Sequence, residues 1–226
     1  MSKRLTRPGV RAGYDLWSAS YDQTPNPLVA LDRRHTMALL QPHPGERILD
    51  AGCGTGGHFD FMLGHGSKPV GLDFSREMLR LAQRKHPGIP LVQADLNDQL
   101  PFRTHAFDAA LCALVGEHLI GLSTLFRGLA ASLARSGRLV FSVFHPAMAA
   151  AGTEANFERG GVEYRLGAER HTVDDYLDLI DEAGLDLVNV REFCGDPKLV
   201  EEIPSASKYL GRPLLLTVEA RKASNR

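Results

Sequence analysis

A glycine-rich turn between two apolar segments constrains the fold of this chain most strongly. The run Arg47–Asp50 is predicted to be a strand, and a helix is predicted around His58–Leu63. Between them lies Ala51-Gly52-Cys53-Gly54-Thr55-Gly56-Gly57. Glycines permit such a tight turn and leave bare backbone at the N-terminus of the helix. The rest of the chain repeats this order of short apolar runs and amphipathic stretches, which predicts βα units around a parallel sheet.

The other elements follow from apolar periodicity and from capping residues. Further strands are predicted at Pro69–Asp73, Leu91–Ala94, Ala109–Val115, Arg138–Phe144, Leu185–Phe193 and Leu214–Ala220. Helices are predicted at Pro27–Leu40, after Ser75, around Leu122–Leu133 and at Asp174–Ala183. Ser75 and Thr172 are expected to cap the helices that follow them, because a hydroxyl can accept from the first free amides.

The length of 226 residues fits one compact domain with a buried core. We expect an N-terminal helical cap at 1–45, a ligand-binding core at 46–146 and a C-terminal helix with two strands at 172–226. The segment 147–171 between them contains a hairpin with its turn at Arg159-Gly160-Gly161. A long insertion at the carboxyl end of a strand is often a lid, and we interpret this one as a possible lid.

Charge and cysteine content exclude several classes of protein. The formal net charge is −1, which gives no basic field for binding a phosphate backbone, so no nucleic-acid partner is expected. Three widely spaced cysteines form neither a disulfide framework nor a metal-binding pattern, which predicts a cytoplasmic protein without a metal. The apolar runs are too short for a membrane span, so no membrane association is expected. Nothing in the sequence indicates the oligomeric state.

Two features point to an adenosine-type ligand at the glycine-rich turn. The turn contains the pattern Gly52-x-Gly54-x-x-Gly57, which dinucleotide-binding proteins also use. Asp73 lies 21 residues after Gly52 at the end of the second strand, where its carboxylate can bind a ribose diol. These features do not distinguish NAD from S-adenosylmethionine.

Two more carboxylates favour a positively charged nucleoside. Asp50 stands at the turn itself, which is unfavourable beside a diphosphate but favourable near an ammonium and a sulfonium group. Asp95 follows the third strand, where it can accept from an adenine amino group while Leu96 packs on the ring. Phe74 and Met78 can supply the opposite apolar wall.

The motifs resemble those of the class I S-adenosylmethionine-dependent methyltransferases. The resemblance runs from Arg47 to Pro146 through Leu49-Asp50-Ala51-Gly52-Cys53-Gly54-Thr55-Gly56, then Gly71-Leu72-Asp73-Phe74-Ser75, then Ala94-Asp95-Leu96. It implies an α/β fold: a Rossmann-like, seven-stranded, mostly parallel sheet with helices on both faces and the last strand antiparallel.

The resemblance also implies roles for individual residues. It assigns the methionine end of S-adenosylmethionine to Asp50, Gly52, Gly54 and Gly56, the ribose to Asp73, and the adenine to Asp95 and Leu96 with Phe74 and Met78; it places Leu114 near the sulfonium. Tyr14-Asp15-x-Trp17-x-x-x-Tyr21-Asp22 resembles the N-terminal segment of the ubiquinone/menaquinone-biosynthesis-like branch, where this segment folds over the cofactor. Tyr21 is therefore expected to contact the cofactor.

Methyl transfer from a sulfonium is an in-line displacement, so the enzyme mainly has to hold acceptor and methyl group in alignment. A base is needed only if the acceptor must lose a proton. Glu117 and His118 follow the fourth strand and His145 follows the fifth, which makes them the candidate catalytic residues. Further substrate-contact candidates are His58, Arg34, Tyr164, Arg165 and His171.

The residues after the fourth strand favour a small-molecule acceptor. The amino-methylating enzymes of nucleic acids and of glutamine carry an Asn/Asp-Pro-Pro-aromatic motif there, whereas this chain has Leu114-Val115-Gly116-Glu117-His118. The sequence therefore predicts methyl transfer to a small molecule in a biosynthetic or secondary-metabolic pathway, with the acceptor atom (O, N or C) open. An NAD-dependent oxidoreductase and a non-catalytic S-adenosylmethionine-binding regulator remain as alternatives.

Overall fold

The computed structural model of the protein describes residues 4–223. Residues 1–3 and 224–226, the two ends of the predicted single domain, lie outside the described residues. In chain order the strands are β1 (Arg4–Thr6), β2 (Arg47–Ala51), β3 (Lys68–Asp73), β4 (Leu91–Gln93), β5 (Phe107–Ala113), β6 (Leu133–Phe144), β7 (Asn156–Arg159), β8 (Val162–Arg165), β9 (Leu185–Cys194) and β10 (Pro213–Lys222). The α-helices are α1 (Val10–Tyr21), α2 (Pro27–Leu40), α3 (Phe59–Gly64), α4 (Arg76–Lys85), α5 (Leu122–Ser132), α6 (Pro146–Ala150), α7 (Val173–Glu182) and α8 (Pro197–Glu202).

The main sheet has seven strands in the order β4-β3-β2-β5-β6-β10-β9. The neighbours from β4 to β6 are parallel, whereas β10 is antiparallel to both β6 and β9. In chain order the strands extend outward from β2 to β3 and β4, and the chain then returns to place β5 on the other side of β2. β2 and β5 therefore meet at the topological switch point, where ligands of open α/β sheets bind. The predicted seven-stranded sheet with an antiparallel last strand is confirmed.

Alternating residues of the central strands bury two faces of this sheet. Leu49, Ala110 and Phe141 belong to the core beneath α5 and α7. Ile48, Ala109 and Val140, each one position earlier, belong to the core beneath α2 and α3. Because successive side chains of a strand point to opposite faces, helices cover both faces of the sheet. None of the helices within residues 4–223 combines the length and apolarity that crossing a membrane requires.

The capping residues act as predicted. The hydroxyl of Ser75 accepts from the amide of Met78 at 3.2 Å and so caps α4. Thr172 and Asp175 form a reciprocal capping box at the start of α7. The predicted helix Pro27–Leu40 has the observed bounds of α2. Strand β5 ends at Ala113, two residues before the predicted end, because Leu114 adopts a left-handed backbone with φ 55°.

The predicted helical cap at 1–45 also contains a strand. β1 pairs in parallel with β8, and together with β7 they form a second sheet in the order β1-β8-β7. Helix α1 packs on this small sheet through Trp17, whose ring stacks on Phe157 with centroids 5.0 Å apart. The hairpin predicted within 147–171 is therefore present, and it forms one packed unit with the N-terminal segment.

Candidate active site

A pocket opens at the carboxyl ends of β2, β3, β4 and β5, at the topological switch point. Nine predicted cofactor residues line it: Tyr21, Gly52, Gly54, Asp73, Phe74, Met78, Asp95, Leu96 and Leu114. Four strand ends and helix α1 thus bring together side chains that are up to 93 positions apart in the sequence. Phe74 follows β3 directly and Met78 lies in the first turn of α4, while Asp95 and Leu96 follow β4.

The glycine-rich turn is held by backbone bonds to β3. The amides of Gly52 and Cys53 both donate to the carbonyl of Leu72, at 2.7 and 2.9 Å. The amide of Gly54 donates to Asp73 Oδ2 at 2.8 Å. Gly52 and Gly54 have φ values of 85° and 53°, in the left-handed region that favours glycine. The bends aim bare backbone at the pocket, where a ligand can approach closely.

The carboxylate of Asp73 is buried at the base of this pocket. Burial raises its pKa to about 6, and the charges of Asp50 and Asp15 act in the same direction, while bonds from Ser75 N and Gly54 N oppose them. Asp73 is therefore ionised at pH 7 and accepts from two amides, which orients it for a further donor. Asp95 Oδ1 accepts from both the amide and the side chain of Asn97, at 2.9 and 3.0 Å.

A buried charge cluster lies behind the glycine-rich turn. His58 stands between two carboxylates, with Nδ1 3.4 Å from Asp50 and Nε2 3.6 Å from Asp32. Burial would lower the pKa of His58, but the two carboxylates outweigh it and raise the pKa to about 10. Asp32 Oδ1 also accepts from Thr36 at 2.6 Å and from Ser142 at 2.5 Å. Two carboxylates and one imidazolium leave the cluster with one net negative charge.

Asp50 and Gly56 do not line the pocket, unlike the other residues predicted to hold the cofactor. Asp50 is 1% exposed, and neither of its carboxylate oxygens has a hydrogen-bond partner within residues 4–223. His58, which lines the pocket, lies next to Asp50, with its Nδ1 3.4 Å from the carboxylate. Gly56 turns toward the protein, because a Cβ there would lie 2.6 Å from the ring of Phe59.

Acidic residues of helix α1 and of its C-cap bind the elements around the pocket, and two tyrosines of α1 line the pocket. Asp15 accepts from the hydroxyl of Ser75 at 2.6 Å, which ties α1 to the start of α4. Asp22 accepts from Thr55 in the glycine-rich turn at 2.7 Å and pairs with Lys85 at 2.8 Å. Tyr14 and Tyr21 of the same helix line the pocket. The helix therefore covers the pocket and contacts both sides of it.

His118 lies in the pocket lining and binds Tyr14. Its Nε2 is 2.9 Å from the hydroxyl of Tyr14, and its Nδ1 is buried without a partner within residues 4–223. Burial lowers the pKa of His118 to about 4, so the ring is neutral at pH 7. Burial also raises the pKa of Tyr14, which therefore keeps its proton, and the tautomer of His118 sets which of the two groups donates. This bond engages one of the two ring nitrogens, and the role of His118 as a base stays a prediction.

Glu117 faces a second cavity that adjoins the first. The two cavities share Tyr14, Tyr21, Val29 and Leu114 in their linings. Glu117 is 6% exposed, and its Oε2 has no hydrogen-bond partner within residues 4–223. Burial raises the pKa of Glu117 to about 7. Leu114 stands between the cavities in a strained backbone conformation, which functional sites often retain.

His145 lies outside both cavities. Its Nδ1 accepts from the amide of Ala147 at 3.2 Å and so caps the short helix α6. Its Nε2 is 3.2 Å from the exposed carboxylate of Glu192. The structure does not bring His145 to Glu117 and His118. Among the weaker candidates, only His58 lines the first pocket, while Arg34 pairs with Asp196 and Glu202.

Comparisons with known proteins agree with this geometry. Residues 49–141 match the model of the family described as "Methyltransferase domain". A solved S-adenosylmethionine dependent methyltransferase from Mesorhizobium loti superposes with a TM-score of 0.74 and 27% identity, covering 87% of this chain and 100% of that one. In sequence over residues 49–141 and in fold over most of its length, the chain is similar to S-adenosylmethionine-dependent methyltransferases.

Two relatives of this chain have names that state an acceptor. The demethylmenaquinone methyltransferase of Clavibacter sepedonicus is 35% identical over 151 residues, which are 61% of this chain and 59% of the relative. The malonyl-[acyl-carrier protein] O-methyltransferase of Serratia marcescens is 25% identical over 217 residues, which are 95% of this chain and 76% of the relative. The chain spans less than two thirds of the length of the demethylmenaquinone methyltransferases that it matches.

The sequence patterns did not reveal the residues that helix α2 contributes to the pocket. Asp32 and Arg33 both line the first pocket, and the guanidinium of Arg33 lies over Gly57. Asp32 and Thr36 are four positions apart and fully buried on the side of α2 that also carries Leu40. Polar residues at this spacing on an apolar helix face were the available signal, since buried polar groups need partners.

Gly52 and Gly54, the two pocket glycines of the glycine-rich turn, offer a matched pair of substitutions. A Cβ at Gly52 would lie 2.3 Å from Val115, whereas a Cβ at Gly54 would meet nothing within 4 Å. Gly52→Ala is therefore expected to lower the free energy of unfolding by roughly 2–4 kcal/mol, from backbone strain plus overpacking. Gly54→Ala should cost only about 1–2 kcal/mol from strain. Urea unfolding curves measure both, and equal losses would contradict this reading of the turn.

Among residues 4–223, no group of three or more His, Cys, Asp and Glu side chains is arranged to hold a metal ion.

Proposed function

We propose that this protein transfers the methyl group of S-adenosylmethionine to a small-molecule acceptor in a biosynthetic or secondary-metabolic pathway. The observation that carries the proposal is the pair of adjoining cavities that meet at Leu114. The first has the carboxylates and bare backbone for a nucleoside, and the second has room for another molecule. A transferase needs two such sites in contact, because the two reacting groups must be held close together.

The first cavity fits S-adenosylmethionine on two structural grounds. Both oxygens of Asp50 are buried without a hydrogen-bond partner in the described part of the chain, and the surrounding cluster carries one net negative charge. This environment suits the ammonium of a methionyl group. Gly54 faces open space, so the ligand can lie against its backbone. When bound, S-adenosylmethionine supplies a methyl group on a sulfonium, which is a strong electrophile.

Different residues of the first cavity would bind the ribose, the adenine and the methionyl end of the cofactor. We propose that Asp73 accepts from the ribose hydroxyls, and that Asp95 accepts from the adenine amino group. Leu96, Phe74 and Met78 would pack on the adenine ring. The turn from Gly52 to Gly54 would hold the methionyl end, and the net negative charge of the cluster of Asp32, Asp50 and His58 would attract its ammonium group. Tyr21 and Leu114 would close the space around the sulfur and so exclude water.

We also propose the surroundings in which this reaction occurs. The segment 147–171 would act as a lid over the acceptor, since Thr153, Glu154 and Ala155 line the second cavity.

The balanced charge of the chain supports an acceptor other than nucleic acid. Its three cysteines are unpaired, which supports a cytoplasmic location.

Ligand-dependent thermal unfolding tests the cofactor assignment. S-adenosylhomocysteine at one hundred times its dissociation constant adds about 2.7 kcal/mol of stability. For a chain of this size that is a rise in melting temperature on the order of 5–10 °C. NADH at the same concentration should give no rise. Protection by NADH alone would instead favour an oxidoreductase.

A transfer assay separates an enzyme from a regulator. Methyl-labelled S-adenosylmethionine would be incubated with a panel of phenols, amines, enols and carboxylic acids, and labelled product would be counted. The proposal expects transfer to at least one acceptor class. Tight binding of S-adenosylhomocysteine without transfer to any class would favour a non-catalytic regulator.

A further inference from the structure

The second cavity combines five aromatic rings with few charged side chains. Its lining contains the rings of Tyr14, Trp17, Tyr21, Phe144 and Tyr209. Three charged side chains line it within the described residues, namely Glu117, Glu154 and Lys208. Aromatic walls of this kind favour a planar or ring-sized apolar molecule.

Two of the three charges are already engaged or lie at the surface. Glu154 pairs with Arg7 at 2.8 Å and with Arg165 at 3.7 Å, and it also accepts from the amide of Gly167. Lys208 is exposed and its ammonium lies 4.9 Å from the centre of the Tyr209 ring. Neither side chain is therefore free to bind a ligand deep in the cavity.

Glu117 differs from both, because it is buried and keeps one oxygen without a partner. Backbone groups of Glu117 itself and of Phe144 act to lower the pKa of its carboxyl group, but burial outweighs them. Its Oε2 has no partner within residues 4–223. The indole Nε1 of Trp17 is likewise buried without a partner. An unpartnered buried polar group is costly, so a ligand that supplies a partner gains affinity here.

We infer that the second cavity binds a ring-sized, neutral or cationic methyl acceptor with an X–H group, and that Glu117 accepts the proton of that group. This inference rests on the proposed function, since the acceptor must lie next to the cofactor cavity at Leu114. The X–H bond breaks and its proton passes to Glu117. The electron pair on X forms the new X–CH3 bond, while the pair of the broken S–CH3 bond stays on sulfur. Anionic acceptors are rejected, because a carboxylate beside Glu117 would place two like charges in a buried site.

The protonation of Glu117 makes this selection dependent on pH. The groups whose charges couple to Glu117 are Asp32, Tyr14, Tyr21, Cys112 and Tyr176. Burial raises the pKa of each tyrosine and of Cys112, so these four stay neutral near pH 7. Glu117 is therefore the group that gains charge as the pH rises through about 7.

Three ring-matched probes test the selection: phenol, benzylamine and benzoate. Trp17 is the only tryptophan of the chain and lines the cavity, so its fluorescence reports binding. With S-adenosylhomocysteine present at pH 8, phenol and benzylamine should bind at least tenfold more tightly than benzoate. At pH 6 this preference should shrink. The preference should also disappear in Glu117→Gln, whereas Glu201→Gln, a change on the exposed face of α8, should keep it.

Several results would overturn the inference. Equal binding of benzoate and phenol by the wild type would do so, as would failure of all three probes to bind, or an unchanged preference in Glu117→Gln. If Glu117→Gln does not fold, Glu117→Ala takes its place, and unfolding curves check both. The affinity for S-adenosylhomocysteine is measured separately with each protein. If the wild type does not bind S-adenosylhomocysteine, the proposed function is refuted. If the wild type binds it but shows no preference among the probes, only this inference is refuted.

Proton transfer is tested with labelled S-adenosylmethionine. The wild type should methylate phenol or benzylamine faster than benzoate, and Glu117→Gln should lose about 100-fold or more of that rate. Glu201→Gln should keep it. Transfer mainly to benzoate, transfer to none of the three probes, or a Glu117→Gln rate equal to the wild type would each contradict the role of Glu117.

Discussion

The variant His58→Ala is expected to lose about 3–5 kcal/mol of unfolding free energy, because it leaves two buried carboxylates without their countercharge. Asp32 and Asp50 are each 1% exposed, and His58 lies within 3.6 Å of both. The matched control is His65→Ala, since His65 is an exposed histidine at the end of α3. Urea unfolding at pH 7 measures both variants, and a loss below 1 kcal/mol in His58→Ala would contradict the ion-pair cluster.

The same cluster predicts how stability depends on pH. The folded-state pKa of His58 is raised to about 10 from its ordinary value of 6.5. The stabilising charge is therefore fully present below about pH 6.5 and is lost as the pH rises toward 10. Wild-type stability should fall across this window by at most about 1.4 kcal/mol per pH unit from this group. His58→Ala should lack that part of the slope, and parallel curves for the two proteins would exclude the raised pKa.

The variant Asp73→Ala is expected to weaken S-adenosylhomocysteine binding by on the order of 1–3 kcal/mol, roughly 5- to 150-fold. The loss has two sources. Asp73 would no longer accept from the ribose hydroxyls, and Gly54 N would lose the bond that shapes the turn. Asp178→Ala is the matched control, because Asp178 is an exposed carboxylate on α7. Calorimetry measures both affinities, and an unchanged value for Asp73→Ala would refute the ribose assignment.

Binding to Asp73 should also depend on pH. Burial raises its pKa to about 6, and a ribose hydroxyl donates best to the ionised carboxylate. The affinity of the wild type for S-adenosylhomocysteine should therefore fall as the pH is lowered through about 6. Asp73→Ala should show a flatter profile over the same range. Identical profiles would mean that another group controls the binding.

Local sequence signals predicted most of the sheet and its helices. Ser75 and Thr172 marked helix starts correctly, because capping depends on a hydroxyl and a few neighbouring amides. Alternating or continuous apolar runs located all seven strands of the main sheet. The positions of Asp73 and Asp95 at strand ends also predicted their place in the pocket, because the carboxyl ends of parallel strands meet at one edge of a sheet.

Features that depend on distant contacts could not be predicted in this way. β1 has three residues, too few to show a period, and it is defined by pairing with β8. His145 follows a strand as a catalytic residue would, yet its side chain caps α6, which the sequence analysis had not predicted. The spacing of Asp32 and Thr36 marks a buried polar site on α2, but it does not identify His58 and Ser142, the partners of Asp32 from other elements.

The distribution of charge at the glycine-rich turn is the physical basis of the proposed function. The cofactor cavity combines bare backbone at Gly52 and Gly54 with the carboxylates of Asp73 and Asp95. The negative cluster behind it suits a ligand with a positive methionyl end and does not suit a diphosphate.

A crystal structure with S-adenosylhomocysteine bound tests this claim most directly. The account predicts ribose hydroxyls within hydrogen-bond distance of Asp73, adenine between Leu96 and Phe74, and the sulfur beside Leu114. A diphosphate-containing ligand at the turn, or S-adenosylhomocysteine bound elsewhere, would contradict it.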